Sequence, residues 1–133
     1  LLLNHSNCVG QWITIQDEVA DRLVASPGAS GWGPLGIIVQ WASVVSKLAV
    51  LPPSCFWPSP SVTSAMVSIQ PRPQVSDVDG VQFAQFITKL FSTRRKQLGG
   101  VLGRERMESV GIDPTWRCER LNIDQLVAVF KSD

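Results

Sequence analysis

Residues 9–16, Val-Gly-Gln-Trp-Ile-Thr-Ile-Gln, are rich in strand-forming residues and bounded by polar ones, which predicts a β-strand, an element of period two. The period then changes. Val19, Ala20, Leu23 and Val24 recur at helical spacing behind Asp17, so a helix with one buried face is expected, ending before Ser26-Pro27-Gly28. Pro34 suits the first turn of a second helix, and Leu35, Ile38, Val39 and Ala42 give it an apolar stripe. Residues 44–50 return to a strand pattern. Residues 52–61 hold four prolines, which exclude a helix and leave too few N–H donors for a central strand, so a stiff, extended loop is expected. Residues 63–70 alternate again, with Ala65, Val67 and Ile69 on the buried face of a third strand.

The pattern past residue 70 is different. Residues 71–80, Pro-Arg-Pro-Gln-Val-Ser-Asp-Val-Asp-Gly, read as a linker. Val81, Ala84, Ile87 and Phe91, helped by Phe83, Phe86 and Leu90, then predict a helix. Ser92 is expected to cap a following helix through Arg94-Arg95-Lys96, which Gly99-Gly100 weakens or ends. A short helix should run to Gly111, a residue suited to the left-handed position past a helix end. Asp113-Pro114 reads as a cap with a first-turn proline. Asn122 and Gln125 resemble a capping box ahead of a last amphipathic helix carrying Ile123, Leu126, Val127 and Phe130.

Composition narrows the function classes. The 133 residues are 44% hydrophobic and 17% charged, enough to bury a core, which fits one ordinary domain or a small domain plus a piece of another. No apolar run approaches the ~20 residues a membrane helix needs. Cys8, Cys55 and Cys118, with His5 as the one histidine, form neither a zinc signature nor a disulfide framework, so no metal is expected. Free thiols suit a reducing compartment, here the cytoplasm. The start, Leu-Leu-Leu-Asn, has no initiator Met and no signal-peptide pattern, and suggests a piece of a longer protein. Gly28-Ala-Ser-Gly-Trp-Gly33 follows a helix rather than a strand, so a flexible connector is expected there and not a phosphate loop.

The formal net charge of +1 is unevenly spread. Lys89, Arg94, Arg95, Lys96, Arg104 and Arg106 face Glu105 alone within residues 89–106, while the flanks are acidic. Such a block suggests an anionic partner, against the plainer reading of a solvated helix face.

Four segments together resemble the ribosomal RNA adenine dimethyltransferase family. They are residues 16–25 (QDEVADRLVA), 32–41 (WGPLGIIVQW), 52–64 (PPSCFWPSPSVTS), and 91–98 (FSTRRKQL) with Gly111-Ile-Asp-Pro114 behind it. The third and fourth are the specific ones, and the likeness is to the bacterial small-subunit enzymes. It implies an α/β fold. Residues 1–73 would be the C-terminal part, with three strands, of a Rossmann-like S-adenosylmethionine-dependent methyltransferase domain. Residues 74–80 would be a linker and 81–133 a small all-α rRNA-binding domain.

The resemblance also implies roles. In the family pattern Phe-x-Pro-x-Pro-x-Val-x-Ser the aromatic packs against the target adenine, and the matching residue is Phe56. Arg94, Arg95 and Lys96 match a segment of the family's rRNA-binding surface. Read on their own, Phe56 and Trp57 are more simply partly buried loop anchors. The partner implied is small-subunit rRNA and the cofactor S-adenosylmethionine. The family's cofactor-binding strands and its Asn-Leu-Pro-Tyr-like motif have no counterpart in the sequence, so no cofactor residue is assigned, and Leu1–Asn4 would end the helix after that motif. A fragment of this kind is expected to be inactive alone. A non-catalytic rRNA-binding assembly module is the alternative, and a DNA-binding transcription relative a third reading.

Many members carry Arg where Pro34 stands, Ser where Gly36 stands, and basic or amide residues where Gly99-Gly100 stand, so no RNA contact is expected near 34 or 99. Arg22 and Glu18 suit a surface pair. Trp12, Trp32 and Trp41 are expected in packing. Cys55 has nothing near it in sequence to make a nucleophile. The family's strand order would place 63–70 between 9–16 and 44–50. The outer edge of 9–16 would then be open, and dimerisation through residues 11–16 is expected.

Overall fold

The computed structural model describes residues 7–73 and 77–133. His5 and Leu1–Asn4 therefore lie outside the described residues, as does the centre of the expected linker. Strands β1 (Gln11–Gln16), β2 (Ser43–Leu51) and β3 (Ser64–Pro71) form one antiparallel sheet in the order β1-β3-β2, as expected. Ile13 and Ile15 stand opposite Val67 and Ala65, and Val45 opposite Ile69, so these six apolar residues from three strands share a face. Helix α1 (Asp17–Leu23) packs Ala20 and Leu23 onto that face.

Lys47, opposite Val67, reaches up from the same face to Asp17 and, at 2.8 Å, to Asp21 of α1. The hydrogen bonds to Asp17 and then Asp21 raise the Lys47 pKa above its ordinary value. The expected Arg22–Glu18 pair is present at 2.9 Å.

Helix α2 (Pro34–Ala42) starts with the expected proline. Its stripe differs from the expectation. Leu35 is exposed, while Ile37 is fully buried. The reason is that α2 is packed on two sides: Val39 meets the sheet cluster and Ile37 the helical cluster. Gly36 makes this close approach possible, because a Cβ there would collide with the carbonyl oxygen of Arg22. Gln40 Nε2 then satisfies the free carbonyls at the end of α1, donating to Leu23 O at 2.8 Å and Ala25 O at 2.9 Å.

The connector between α1 and α2 is not a flexible one. Gly28, at φ +83°, donates its N–H to Glu119 O at 2.9 Å, and buried Trp32 donates Nε1–H to Leu121 O at 3.1 Å. Residues 28 and 32 are thereby fixed onto the C-terminal third of the chain.

Helix α3 (Gly80–Ser92) is capped by Asp79, whose carboxylate accepts from the N–H groups of Val81 and Gln82. Its buried residues are Phe83, Ile87, Leu90 and Phe91, whereas Val81, expected on the inner face, is exposed. The buried stripe therefore starts at Phe83, inside the first turn. Helices α4 (Leu98–Leu102) and α5 (Arg104–Ser109) are separated by Gly103 at φ +96°, and Gly111 takes the expected left-handed position at φ +71°. Gly99 and Gly100 lie inside α4 rather than ending a helix. Gly99 is needed there: its N–H donates to Pro114 O at 2.8 Å, and a Cβ would stand 2.8 Å from Pro114 Cβ.

Asp113-Pro114 does not start a helix either. The Asp113 carboxylate turns onto Thr115, accepting from its N–H at 2.8 Å and its hydroxyl at 2.7 Å, and closes a turn. These two bonds from Thr115 hold the Asp113 carboxyl below its ordinary pKa. Helix α6 (Ile123–Lys131) carries the full Asn122–Gln125 capping box, with bonds of 3.0 and 2.8 Å.

Two apolar clusters result. The larger gathers Phe83, Ile87, Leu98, Met107, Leu121, Leu126 and Val129, and takes Trp32 and Ile37 from the first half of the chain. The smaller is the five-residue layer between α1 and β3.

Candidate functional site: an aromatic loop and a cationic turn

The proline-rich loop leaves β2 at Leu51 and enters β3 at Ser64. A single 3₁₀ turn, Pro53–Cys55, is closed by Cys55 N–H on Pro52 O at 3.0 Å and Phe56 N–H on Pro53 O at 3.2 Å. Ser59 Oγ donates back to Pro53 O at 2.9 Å. The loop thus ties its two arms together across Phe56, Trp57 and the cis Trp57–Pro58 peptide. Prolines restrict φ, and these bonds close the loop on itself, so it holds its shape without a ligand.

Phe56 is half-buried in extended backbone, φ −123° and ψ 150°. Adjacent side chains in extended backbone point to opposite sides. Trp57 accordingly projects outward and is 97% exposed. Partial burial, the plain reading for both rings, is true of Phe56 and not of Trp57. A tryptophan so exposed is unusual, because its ring forgoes a large apolar burial. Sequence reasoning passed over it; the signal was its place next to Phe56 among prolines.

The second element is the segment after α3. Arg94, Arg95 and Lys96 do not form a helix. Ser92 Oγ donates to Lys89 O and Thr93 Oγ1 to Leu90 O, so these hydroxyls finish α3 instead of starting a new element. The backbone then turns, with Arg94 N–H on Phe91 O at 3.3 Å and Lys96 N–H on Thr93 O at 2.9 Å. All three cations are exposed, and none is in an ion pair among the described residues. A helix would have fanned them around its axis; the turn leaves all three in solvent.

Not all of the basic block is free for a ligand. Arg106 is structural: it donates to Ser132 Oγ at 3.0 Å and Val129 O at 2.7 Å, and pairs with Asp133. Outside the block, Arg120 lies 4.3 Å from the Trp116 ring centre. Cys118, behind the turn, is buried, and desolvation pushes its thiol pKa up to about 11. That thiol is inert at neutral pH. Trp32 and Trp41 pack as expected, Trp41 against Phe83 at 5.1 Å between ring centres. Trp12 is 58% exposed on the sheet, lying over Gly10.

The glycine-rich stretch does not form a cofactor-binding turn. Among the described residues the glycine-rich stretch lies between two helices, and its Gly28 N–H is spent on Glu119 O. No residue of this chain is assigned to the cofactor.

The fold and the site define a class, and comparison with known proteins identifies it. The family model described as "Ribosomal RNA adenine dimethylase" matches residues 2–132, so the chain belongs to that family. A ribosomal RNA small subunit methyltransferase A from Janthinobacterium sp. (strain Marseille) is 37% identical over 123 residues, covering 90% of this chain and 48% of that protein. The protein of the same name from Desulfitobacterium hafniense (strain DSM 10664 / DCB-2) is 39% identical over 134 residues, covering 90% of the chain and 47% of the relative. The chain spans about half the length of the curated relatives it matches.

Among solved structures, a dimethyladenosine transferase from Plasmodium falciparum superposes with a TM-score of 0.86 at 19% identity, over 96% of this chain and 59% of that one. The 23S rRNA methyltransferase ErmE follows at TM-score 0.67 and 16% identity, over 98% of this chain and 57% of that one. These two show that the chain shares the α/β fold of a part of each of those structures. No helix among the described residues is long and apolar enough to cross a membrane.

Proposed function

We propose that the protein is an rRNA adenine dimethyltransferase of ribosome biogenesis in the cytoplasm, and that this chain is the part of it that faces the RNA. S-adenosylmethionine, bound elsewhere, supplies the methyl group. Transfer to an exocyclic amine asks little acid–base chemistry of the protein. It asks that the amine be aligned with the methyl carbon and that the base leave its stack. Phe56 is the surface on which the extruded adenine packs. Arg94, Arg95 and Lys96 hold the rRNA backbone, which gives affinity and register but no sequence information. Residues 1–73 act as the end of the catalytic domain and 81–133 as the rRNA-binding one.

The observation that carries this reading is the pairing of a family match over residues 2–132 with three unpaired cations displayed together on one turn. The chain should prefer structured small-subunit rRNA to duplex DNA of equal length at matched salt. Equal or tighter binding to the duplex contradicts the proposal.

Self-association belongs to it as well. The outer edge of β1 is unpaired among the described residues. It carries no charge, no proline and no bulge, whereas the opposite edge, β2, has Lys47 and a register shift beside it. An unguarded edge is where a second copy adds its own β1. A monomeric sedimentation profile at high concentration rules that out.

A further inference from the structure

We propose that Trp57 is a second stacking platform, taking the base of an unpaired nucleotide beside the target adenine. This rests on the functional reading above and adds a residue to it. The geometry is that of a blade. Phe56 lies in extended backbone, a conformation in which successive side chains point to opposite sides, and Trp57 follows it in the same proline-stiffened loop. Phe56 is half-buried and Trp57 is almost wholly in solvent. A single strand crossing such a blade can place one base on each side of it.

The chemistry of the loop favours a base over other occupants. Leu51–Thr63 contains no charged residue, so nothing in it repels phosphate, and no cation there competes for the indole face. Ser54, Ser59, Ser61 and Thr63 put polar residues in the same loop, where a protein partner would ask for a continuous apolar surface. Every base has a π-face, so stacking on Trp57 tolerates any neighbouring nucleotide. Because the loop is already closed by Ser59 and Phe56 on Pro53 O, binding orders little backbone.

The test uses the 133-residue chain and two probes of equal length and charge, an octamer of riboadenylate and its abasic counterpart. Trp57→Ala should weaken binding of the riboadenylate about tenfold, as loss of one base–aromatic stack does. It should leave the abasic probe and the salt dependence unchanged. Trp57→Phe should restore most of the loss. The thermal midpoint should not move, since the ring supports nothing in the fold. Emission from Trp57, taken as the difference between wild type and Trp57→Phe, should be quenched on binding. If wild type binds the riboadenylate and Trp57→Ala binds it equally well, Trp57 is no platform and the functional reading stands. Equal weakening toward both probes also overturns the proposal. If wild type binds neither RNA nor riboadenylate, the functional reading falls, and this inference with it.

Discussion

The helical region and the sheet region solve the same problem to different degrees. The helical region encloses its core. Phe83, Ile87, Met107, Leu121, Leu126 and Val129 are inaccessible to solvent, and Trp32 and Ile37 close the remaining side. The sheet is covered on one face only. Its second face shows Trp12, Met66 and Val44, the last 48% exposed, and β1 offers an open edge. Three strands with one covered face are close to the minimum for a stable sheet. The difference extends to function. The helical region carries charge on a turn whose geometry the core behind it fixes. The sheet region carries neutral aromatics on a loop that proline and its own hydrogen bonds fix.

The largest expected effect lies in the helical core. Phe83→Ala removes a ring in contact with Trp41 and Phe130 and should cost about 3–5 kcal/mol in chemical denaturation. Val67→Ala in the thin sheet layer should cost about 2 kcal/mol. A smaller loss for Phe83→Ala than for Val67→Ala would contradict this order.

Gly36→Ala probes the junction between them. Helix propensity alone would make it stabilising by about 1 kcal/mol. The collision with Arg22 O reverses the sign, to a loss of about 1–3 kcal/mol in the same assay. Gly100→Ala is the control: no neighbour lies within 4 Å of its Cβ position in α4, so a gain of about 0.5–1 kcal/mol is expected.

Alkaline pH separates the helical core by another route. The Cys118 thiol ionises near 9.0 when unfolded and near 11 when folded. Between those values the unfolded chain holds fewer protons, so stability falls as pH rises, by about 1–2 kcal/mol from pH 8 to pH 10.5. Lys47, with its raised pKa, acts in the same direction above 10.5. Cys118→Ala should flatten the decline measured by denaturant midpoints up to pH 10.5; an unchanged decline would place its cause elsewhere.

What the sequence revealed follows physical lines. The Asn122 capping box and Gly111 were legible because each depends on local pattern or on a motif with a fixed geometry, whereas strand order, a non-local property, was legible only through the family resemblance. The stripe on α2 was misread since the pattern assumes one partner and α2 has two, which is why Ile37 and not Leu35 is buried. The helix expected through Arg94–Lys96 failed because Ser92 and Thr93 hydroxyls can either end one helix or begin another, and tertiary packing of Leu90 and Phe91 decides. Gly99 looked like a helix breaker and is a contact for Pro114, a partner 15 residues away that no local window includes. Trp57 was hidden because exposure is a property of the folded loop. Which of Phe56 and Trp57 faces inward is fixed only once that loop closes.

The central claim is that charge on the turn, and not the aromatic loop, sets the salt dependence of RNA binding. The direct test is the affinity of the chain for small-subunit rRNA across a series of salt concentrations, with and without the triple change of Arg94, Arg95 and Lys96 to Ala. Each lost phosphate contact should reduce the slope of log affinity against log salt by about 0.7–0.9, so the account predicts a slope shallower by about 2 to 3. A parallel line, shifted or not, would show that these cations do not touch the backbone of the RNA and would contradict the assignment.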